Sequence, residues 1–557
     1  MRHYNLNLDY WQTSIYEDAQ TKLTEDLRHL HKDEYNQDEL IVLEHNVDFY
    51  VNKSKLGLVL RNIQTILNEE DISNCFVLVK SSNPDIAKEM ELLTKISTDP
   101  IHVKFEFIEG EFVTHKLKQH PASKKELYAY GSVNPLMMNL ENVSEREQFL
   151  LSDSKTFCMY PWVHLHAFPT GEAFPCCMAE PATKTQANGQ IGNCREQTLE
   201  EIWNSPEQRK IRVDMLSETK HNACTRCYEK EESGFFSGRQ SANKHHGHLI
   251  ERVLETKDDG TYETFEMAYW DIRFSNLCNL SCRSCGHIFS SSWYKDQVAL
   301  AGPEWGKANK PIVYAGQHKT DMIEQLMEHI DYVEQIYFAG GEPLVMEEHY
   351  IILEELVKRG KTDTRLIYNT NFTNMKLKDK HVFEYWAKFA GVSVGASLDG
   401  MGKYAEIIRK GTKWEVVEEN RRKMIEMCPK VDFYVSPTLS IMNALHIPEF
   451  HKDWVEKGLI KHQDLNVNIL LDPENYRIDI APQEYKDKII ACYQSHLEWL
   501  RPHDRLNRAT VGFESAINFL RNDKTHLIPK FWEVTDKLDS LRTEKLLDVI
   551  PELGALK

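Results

Sequence analysis

Two hydrophobic periods alternate along the first part of the chain. Apolar runs with a period near two, "ELIVLEH" (39–45), "CFVLVKSS" (75–82) and "IHVKFEFIEG" (101–110), predict strands. Between them "LGLVLRNIQTILNEE" (56–70) and "DIAKEMELLTKI" (85–96) repeat every three to four residues and predict helices. The pattern is that of a small N-terminal α/β domain over residues 1–150. It has no glycine-rich phosphate loop, so nothing marks it as a nucleotide-binding fold. Cys75 opens one of its strands as an ordinary core thiol.

A polar stretch over 120–153, with "HPASKKE" and "NVSERE", reads as a connection. Residues 154–246 then lose periodicity while Cys, Gly, Pro and Trp become dense, as in a segment organised by ligands more than by apolar burial. From Phe265 the two periods return in strict alternation. "FEMAYWDIRF", "VEQIYFAG", "RLIYNTN", "VSVGASLDG", "VDFYVSPTLS" and "DLNVNILLD" are strand-like, and an amphipathic helical stretch follows each of the last five. Repeated strand–helix units imply parallel strands with crossover helices, and about six units fall short of the eight of a closed barrel. The expected fold is a partial, TIM-like (β/α)6 barrel over 262–475, followed by a helical region over 476–557 without a chemical motif. In such barrels chemistry gathers at the carboxyl ends of the strands.

Composition narrows the partners. The chain has 557 residues, 27% of them charged, and a formal net charge of −18 without a Lys/Arg-rich block, which disfavours a nucleic-acid partner. The first twenty residues lack the apolar core of a signal peptide, and no run approaches the roughly 18 apolar residues of a membrane span. A cytoplasmic protein with no membrane partner is expected. Nine of the twelve cysteines crowd between residues 158 and 285, a distribution that suits metal ligation better than disulfides in a reducing compartment.

The first barrel strand runs into "CNLSCRSC", which spaces Cys278, Cys282 and Cys285 as C-x3-C-x2-C. Thiolates at these intervals wrap a cubane iron–sulfur cluster, and three ligands leave one iron open, the mark of a catalytic rather than a closed metal site. A zinc site borrowing His287, or three unrelated buried thiols, are the alternatives. The loop resembles the signature of the radical S-adenosylmethionine (SAM) superfamily, and "AGGEP" (339–343) at the end of the next strand is similar to that superfamily's methionine-binding motif. The resemblance covers roughly residues 265–475.

The resemblance implies a SAM-binding [4Fe-4S] cluster on Cys278, Cys282 and Cys285, with the amino and carboxylate groups of SAM on the fourth iron and a 5′-deoxyadenosyl radical as the product of reductive cleavage. Gly340 and Gly341 would let the backbone approach the ligand, and Glu342 would accept a hydrogen bond from the amino group. Asn371, Ser397 and Asp399, at later strand ends, would face ribose and carboxylate, and Arg409 would pair with the SAM carboxylate. Each is equally at home in a turn or a helix cap. Where the superfamily commonly places an aromatic or apolar side chain before the third cysteine, this chain has Ser284.

A second set consists of Cys158, then Gly171 and Cys176 with four residues between them, then Cys224 and Cys227 as C-x2-C. Four thiolates close a site for zinc or for a fully ligated [4Fe-4S] cluster. The arrangement resembles the twitch module, the short relative of the SPASM domain, which holds one auxiliary [4Fe-4S] cluster. Here the module precedes the barrel, where it commonly follows. No cysteine follows Cys227 before Cys278, so a second auxiliary cluster is not expected. Cys177 is an alternative to Cys176, because neighbouring side chains of an extended chain point opposite ways. Cys194 reads as a loop thiol, Cys428 and Cys492 as core, and His164 and His166 share a face with a structural role.

The function that follows is hydrogen abstraction from a peptide or protein side chain, the additional α/β domain offering surface for a macromolecule. A small-molecule dehydrogenase or isomerase is the alternative within enzymes. A non-catalytic iron–sulfur or zinc scaffold is the alternative outside them. A reducing partner such as flavodoxin or ferredoxin is implied by the resemblance.

Overall fold

The computed structural model describes strand segments 2–5, 41–46, 75–80, 104–108 and 111–115, and residues 144–557 except 180–188, 233–236 and 505–506. The chain divides into two compact units, Met1–Met159 with Cys227–Glu255, and Tyr160–Arg226 with Thr256–Lys557.

In the first unit β1 (Arg2–Asn5), β2 (Ile41–Asn46), β3 (Cys75–Lys80), β4 (Lys104–Ile108) and β5 (Glu111–His115) form a sheet of order β1-β2-β3-β5-β4. β1, β2 and β3 run parallel, and β5 is antiparallel to both β3 and β4. Three of these strands fall on the apolar runs, whereas β1 and β5 carry no run long enough to announce them. The two helices expected between the runs lie outside the described residues. The polar connection contains a helix, Glu145–Ser152, opened by a capping box between Ser144 and Glu147.

The second unit is built on an eight-stranded sheet. Its strands are β6 (His164–Ala167), β7 (Glu172–Phe174), β8 (Gly192–Asn193), β9 (Tyr269–Ile272), then, beyond the short β10 (Ser281–Cys282), β11 (Gln335–Phe338) and β12 (Arg365–Thr370). After the small pair β13 (Lys376–Leu377) and β14 (Lys380–His381) come β15 (Val392–Ala396), the short β16 (Arg409–Lys410) and β17 (Asp432–Val435). The order is β17-β15-β12-β11-β9-β6-β7-β8. All pairings from β17 to β6 are parallel, and the β6-β7-β8 pairings are antiparallel. The sixth expected strand is shorter than its apolar run: β18 (Thr438–Leu439) pairs in parallel with β19 (Asn468–Ile469), joined by a bridge from Val435 to Leu465.

Alternation along these strands separates two faces. Trp270, Ile336, Phe338, Leu366, Tyr368, Val394 and Phe433 are buried on the outer face, where helices such as Glu347–Lys358 supply Leu353 and Leu356. Each such side chain contributes roughly 1.5–3 kcal/mol on burial. The inner face is largely polar: Asp271, Tyr337, Ile367, Ser393 and Asp432 occupy one row, and Asn369, Gly395 and Tyr434 the next. Asn369 Nδ2 donates to Tyr337 Oη at 2.5 Å and Ser393 Oγ to Asp432 Oδ2 at 2.8 Å. Helices Gln483–Leu500, Arg508–Phe519 and Ile528–Arg542 form the C-terminal region.

The stretch expected to lack regular structure forms part of this sheet. β6 lies parallel to β9, pairing His164 with Tyr269 and His166 with Asp271. His164 stacks on Tyr269 at 4.1 Å, and burial drops its pKa to about 4. His166 Nδ1 is 2.8 Å from Asp271 Oδ2. Burial opposes the charge on Asp271, yet His166 and Arg273 hold its carboxyl down to about 2. The two histidines share a face, as expected, and pack against β9.

Candidate functional site

The segment after β9 climbs over the end of the sheet and carries the three cysteines. β10 pairs antiparallel with β16, setting Cys282 opposite Arg409 and Ser281 opposite Lys410. A serine belt immediately beyond the loop pins its backbone. Ser292 Oγ donates to the Cys278 carbonyl at 2.7 Å, Ser290 Oγ to the Leu280 carbonyl at 2.5 Å and Trp293 Nε1 to the Cys282 carbonyl at 2.7 Å, while Cys278 N donates to Ser291 Oγ at 3.2 Å. These polar residues carry no ligating chemistry of their own, which is why a reading centred on cysteines passes over them.

Burial, reinforced by the neighbouring thiols, pushes Cys278 and Cys285 up to about 12. Burial also raises Cys282, against the pull of Arg409, whose Nη1 lies 3.8 Å from its sulfur. Three buried thiols within electrostatic reach of one another, with one cation beside them, are a poor arrangement for thiolates alone and a good one for thiolates on a cationic metal group. Among the described residues no three His, Cys, Asp or Glu side chains converge as a single ion requires. His287 is turned to other work: its Nε2 is 3.1 Å from the Pro311 carbonyl and its ring packs edge-on against Trp305.

The AGGEP turn leaves β11 directly beneath this loop. Gly340 and Gly341 have φ of +78° and +43°, which side-chain-bearing residues rarely adopt. A Cβ on Gly340 would stand 2.5 Å from Arg273 Cβ, and one on Gly341 would collide with the Leu277 carbonyl. The glycines thus admit the ascending segment of the loop, and Glu342 N closes the contact by donating to Leu277 O at 2.8 Å. The Glu342 carboxylate, 1% exposed, accepts from Thr370 Oγ1 at 2.7 Å, Asn371 N at 2.6 Å and Leu344 N at 3.1 Å. Burial raises its pKa to about 7 against those donors.

Asn371 returns the connection to the cysteines, with Nδ2 2.9 Å from Asn279 Oδ1 and 4.0 Å from Cys278 Sγ. Asp399 holds Arg409 through Nε at 2.8 Å and Nη2 at 3.1 Å, and accepts from Thr438 N at 2.8 Å. Ser397 follows β15, half-buried, and its hydroxyl has no hydrogen-bond partner among the described residues. The structure therefore brings Cys278, Cys282, Cys285, Gly340, Gly341, Glu342, Asn371, Asp399 and Arg409 into one contiguous set at the strand ends, with Ser397 beside it. Thr370, Thr438, Asn279 and the serine belt are members that spacing alone did not reveal.

Residues 272–441 match the family model described as the radical SAM superfamily. The chain carries a radical SAM domain. Residues 158–228 match the model described as SPASM, an iron–sulfur cluster-binding domain, placed ahead of the radical SAM domain. The two models imply the cofactors expected from the sequence: SAM, a SAM-binding [4Fe-4S] cluster and auxiliary cluster binding. No curated protein matches the chain. Among solved structures the chain is similar to native anSMEcpe with bound AdoMet and Cp18Cys peptide (19% identity, 42% of this chain and 60% of that one, TM-score 0.29). It is also similar to Streptococcus suis SuiB bound to precursor peptide SuiA (15%, 52% and 64%, TM-score 0.29) and to TYW1 with a lysine-pyruvate adduct (14%, 42% and 71%, TM-score 0.21). The chain thus spans about 60% of the anSMEcpe chain's length.

The SPASM-matched cysteines fall in two pairs. In the first unit Cys158 and Cys227 lie beside the buried Arg239, which donates to the Phe157 carbonyl at 2.8 Å, and the Cys227 thiol sits against backbone N–H groups of Gly238 and Arg239. In the second unit Cys176 packs on Phe174, Ala179 and Ala223, and the turns Cys177–Ala179 and Asn222–Cys224 touch. Gly171, at φ +98°, makes the turn of the β6-β7 hairpin that leads to Cys176. Cys177 is within electrostatic reach of Tyr269 and Tyr337 on the inner face of the sheet. Cys194 and Cys428 are buried and Cys492 is half-buried.

Proposed function

We propose that this radical SAM protein is an enzyme that abstracts a hydrogen atom from a peptide or protein side chain. The observation that supports this most directly is the continuous chain of contacts from the three-cysteine loop through AGGEP to Asn371, Asp399 and Arg409. Cys278, Cys282 and Cys285 would hold a [4Fe-4S] cluster, and Cys158, Cys176, Cys224 and Cys227 an auxiliary one. When bound, the first cluster and SAM supply a reductively generated 5′-deoxyadenosyl radical.

The residues of the chain set the stage for that chemistry. Gly340 and Gly341 bring the loop onto the end of β11, and Glu342 locks the ends of β11 and β12 together through Thr370 and Asn371. Arg409 balances thiolate charge at Cys282 while Asp399 fixes its guanidinium. The free Ser397 hydroxyl is available to a ligand hydroxyl. Below them the inner face offers Tyr337, Asn369 and Tyr434 to a polar substrate, and Gly395, lacking a Cβ, lets the Asn369 and Tyr434 side chains close in over it. The β1–β5 sheet supports a macromolecular substrate by providing a further folded surface.

The test is anaerobic reconstitution with iron and sulfide, reduction, and measurement of 5′-deoxyadenosine formed from SAM. Cleavage by the wild type, absent from the Cys278→Ala, Cys282→Ala, Cys285→Ala triple variant, is expected. A reducible, iron-loaded wild type that leaves SAM intact overturns the proposal. Transfer of deuterium from a labelled peptide into 5′-deoxyadenosine tests the substrate class.

A further inference from the structure

The tail beyond residue 528 has no chemical motif, yet it too grips the three-cysteine loop. Arg283 stands between the second and third cysteines with its side chain fully buried. Its backbone N donates to Ile408 O at 2.8 Å and its Nε to Ile407 O at 3.1 Å. Its Nη2 lies between two carboxylates of the tail, Asp539 and Glu544, the latter at 2.7 Å. Lys410, opposite Ser281 in the β10-β16 pair, donates to Glu544 Oε2 at 3.1 Å and to the Arg542 carbonyl at 3.3 Å. Arg542 pairs with Asp296 at 2.8 Å and lies over the Trp293 ring at 4.8 Å, the same indole that donates to the Cys282 carbonyl. Further along, Glu552 accepts from Tyr404 Oη at 2.7 Å, on the helix Gly402–Ile408 between Asp399 and Arg409.

Apart from Glu552, which accepts from a tyrosine, three cations (Arg283, Lys410, Arg542) and three carboxylates (Asp539, Glu544, Asp296) are paired in this network. Buried ion pairs of this kind add little net stability over apolar packing, and their best-attested use is to fix one register against its alternatives. Every cation here belongs to, or touches, an element that shapes the cysteine loop, and two of the three carboxylates come from the tail.

We propose that residues 528–557 form a strap that fixes the three-cysteine loop in its ligating conformation, with Arg283 the positioning residue through which it acts. This rests on reading the loop as the cluster site. The experiment uses the full chain and the double variant Asp539→Asn, Glu544→Gln. In the metal-free protein, amide hydrogen exchange over residues 281–293 is expected to rise at least about tenfold, with β11 and β12 unchanged. In the reconstituted protein, the electron paramagnetic resonance signal of the reduced cluster with SAM is expected to broaden. Arg283→Lys, which keeps the charge and loses the fork, should restore part of the protection that Arg283→Gln removes.

Loop exchange unmoved in a folded double variant overturns the strap. If the double variant fails to fold, Glu544→Gln alone is read: loosening confined to 281–293 supports the strap, and uniform loosening that includes β11 and β12 overturns it. The two readings fail separately. A loop that loosens as expected in a chain that takes up no iron leaves the strap standing and removes the cluster, whereas normal iron and SAM binding with an unmoved loop does the reverse.

Discussion

The two sets of cysteines are held in different ways. Cys278, Cys282 and Cys285 sit within eight residues, and the loop between them is shaped by four side chains from 290–293, a two-residue pairing with β16, a pair of glycines below and the carboxylates of the tail on Arg283. Cys158, Cys176, Cys224 and Cys227 are drawn from seventy residues and from separate helices and turns. A short loop brings its three thiols together at little entropic cost, while a dispersed set depends on every element that carries it. The first should therefore survive damage to the second.

The largest effect that tests this contrast comes from removing ligands. The triple alanine variant of the loop should lose SAM cleavage by more than the roughly 10–100-fold typical of outer-shell losses. Cys224→Ala should lose iron while leaving the SAM-induced change in the resonance spectrum in place. If Cys224→Ala abolishes that change too, the two sets are not independent.

Gly341→Ala sharpens the contrast. The substitution strains a left-handed backbone and drives a Cβ onto the Leu277 carbonyl, which should destabilise the chain by about 1–3 kcal/mol and expel iron from the three-cysteine loop first. Denaturant titration and iron analysis read the two effects, and a wild-type iron content would contradict the tight approach of loop and turn. A smaller difference should separate the adjacent thiols: Cys176→Ala should reduce auxiliary iron, and Cys177→Ala should not.

Acidification supplies a baseline outside both sets. Burial holds His349, His451 and His496 down to about 3, well below their ordinary range. The unfolded chain binds their protons near pH 6.5 and the folded chain does not, so stability is present above about 6.5 and falls as pH drops from there toward 3. The melting temperature of the metal-free protein should decline through that window. His349→Gln, which keeps a partner for the Tyr368 hydroxyl, should flatten part of the decline.

The barrel was legible because each strand pairs an apolar outer row with a helix of matching period, and the loop because three thiols and AGGEP follow successive strands. Other features had no such signal. β6 is a four-residue strand whose inner positions are histidines, and its partner lies 105 residues away, so no local pattern marks it. Asp399 and Arg409 read as separate ligand contacts, and only the fold shows that they hold each other. The tail offered amphipathic helices without chemistry, because what it contributes is charge delivered to Arg283 across more than 250 residues of sequence. Pairings at that separation are decided by tertiary geometry.

An incomplete barrel has a rim, and unpaired backbone along a rim invites other chains to add strands. On the β9 side the described residues cover that row: β6 takes up the hydrogen bonds of β9, β7 takes up those of β6, and the sheet runs out at the two-residue β8. The cysteine-rich segment thereby shortens the exposed edge on that side to two residues, whatever group its thiols hold.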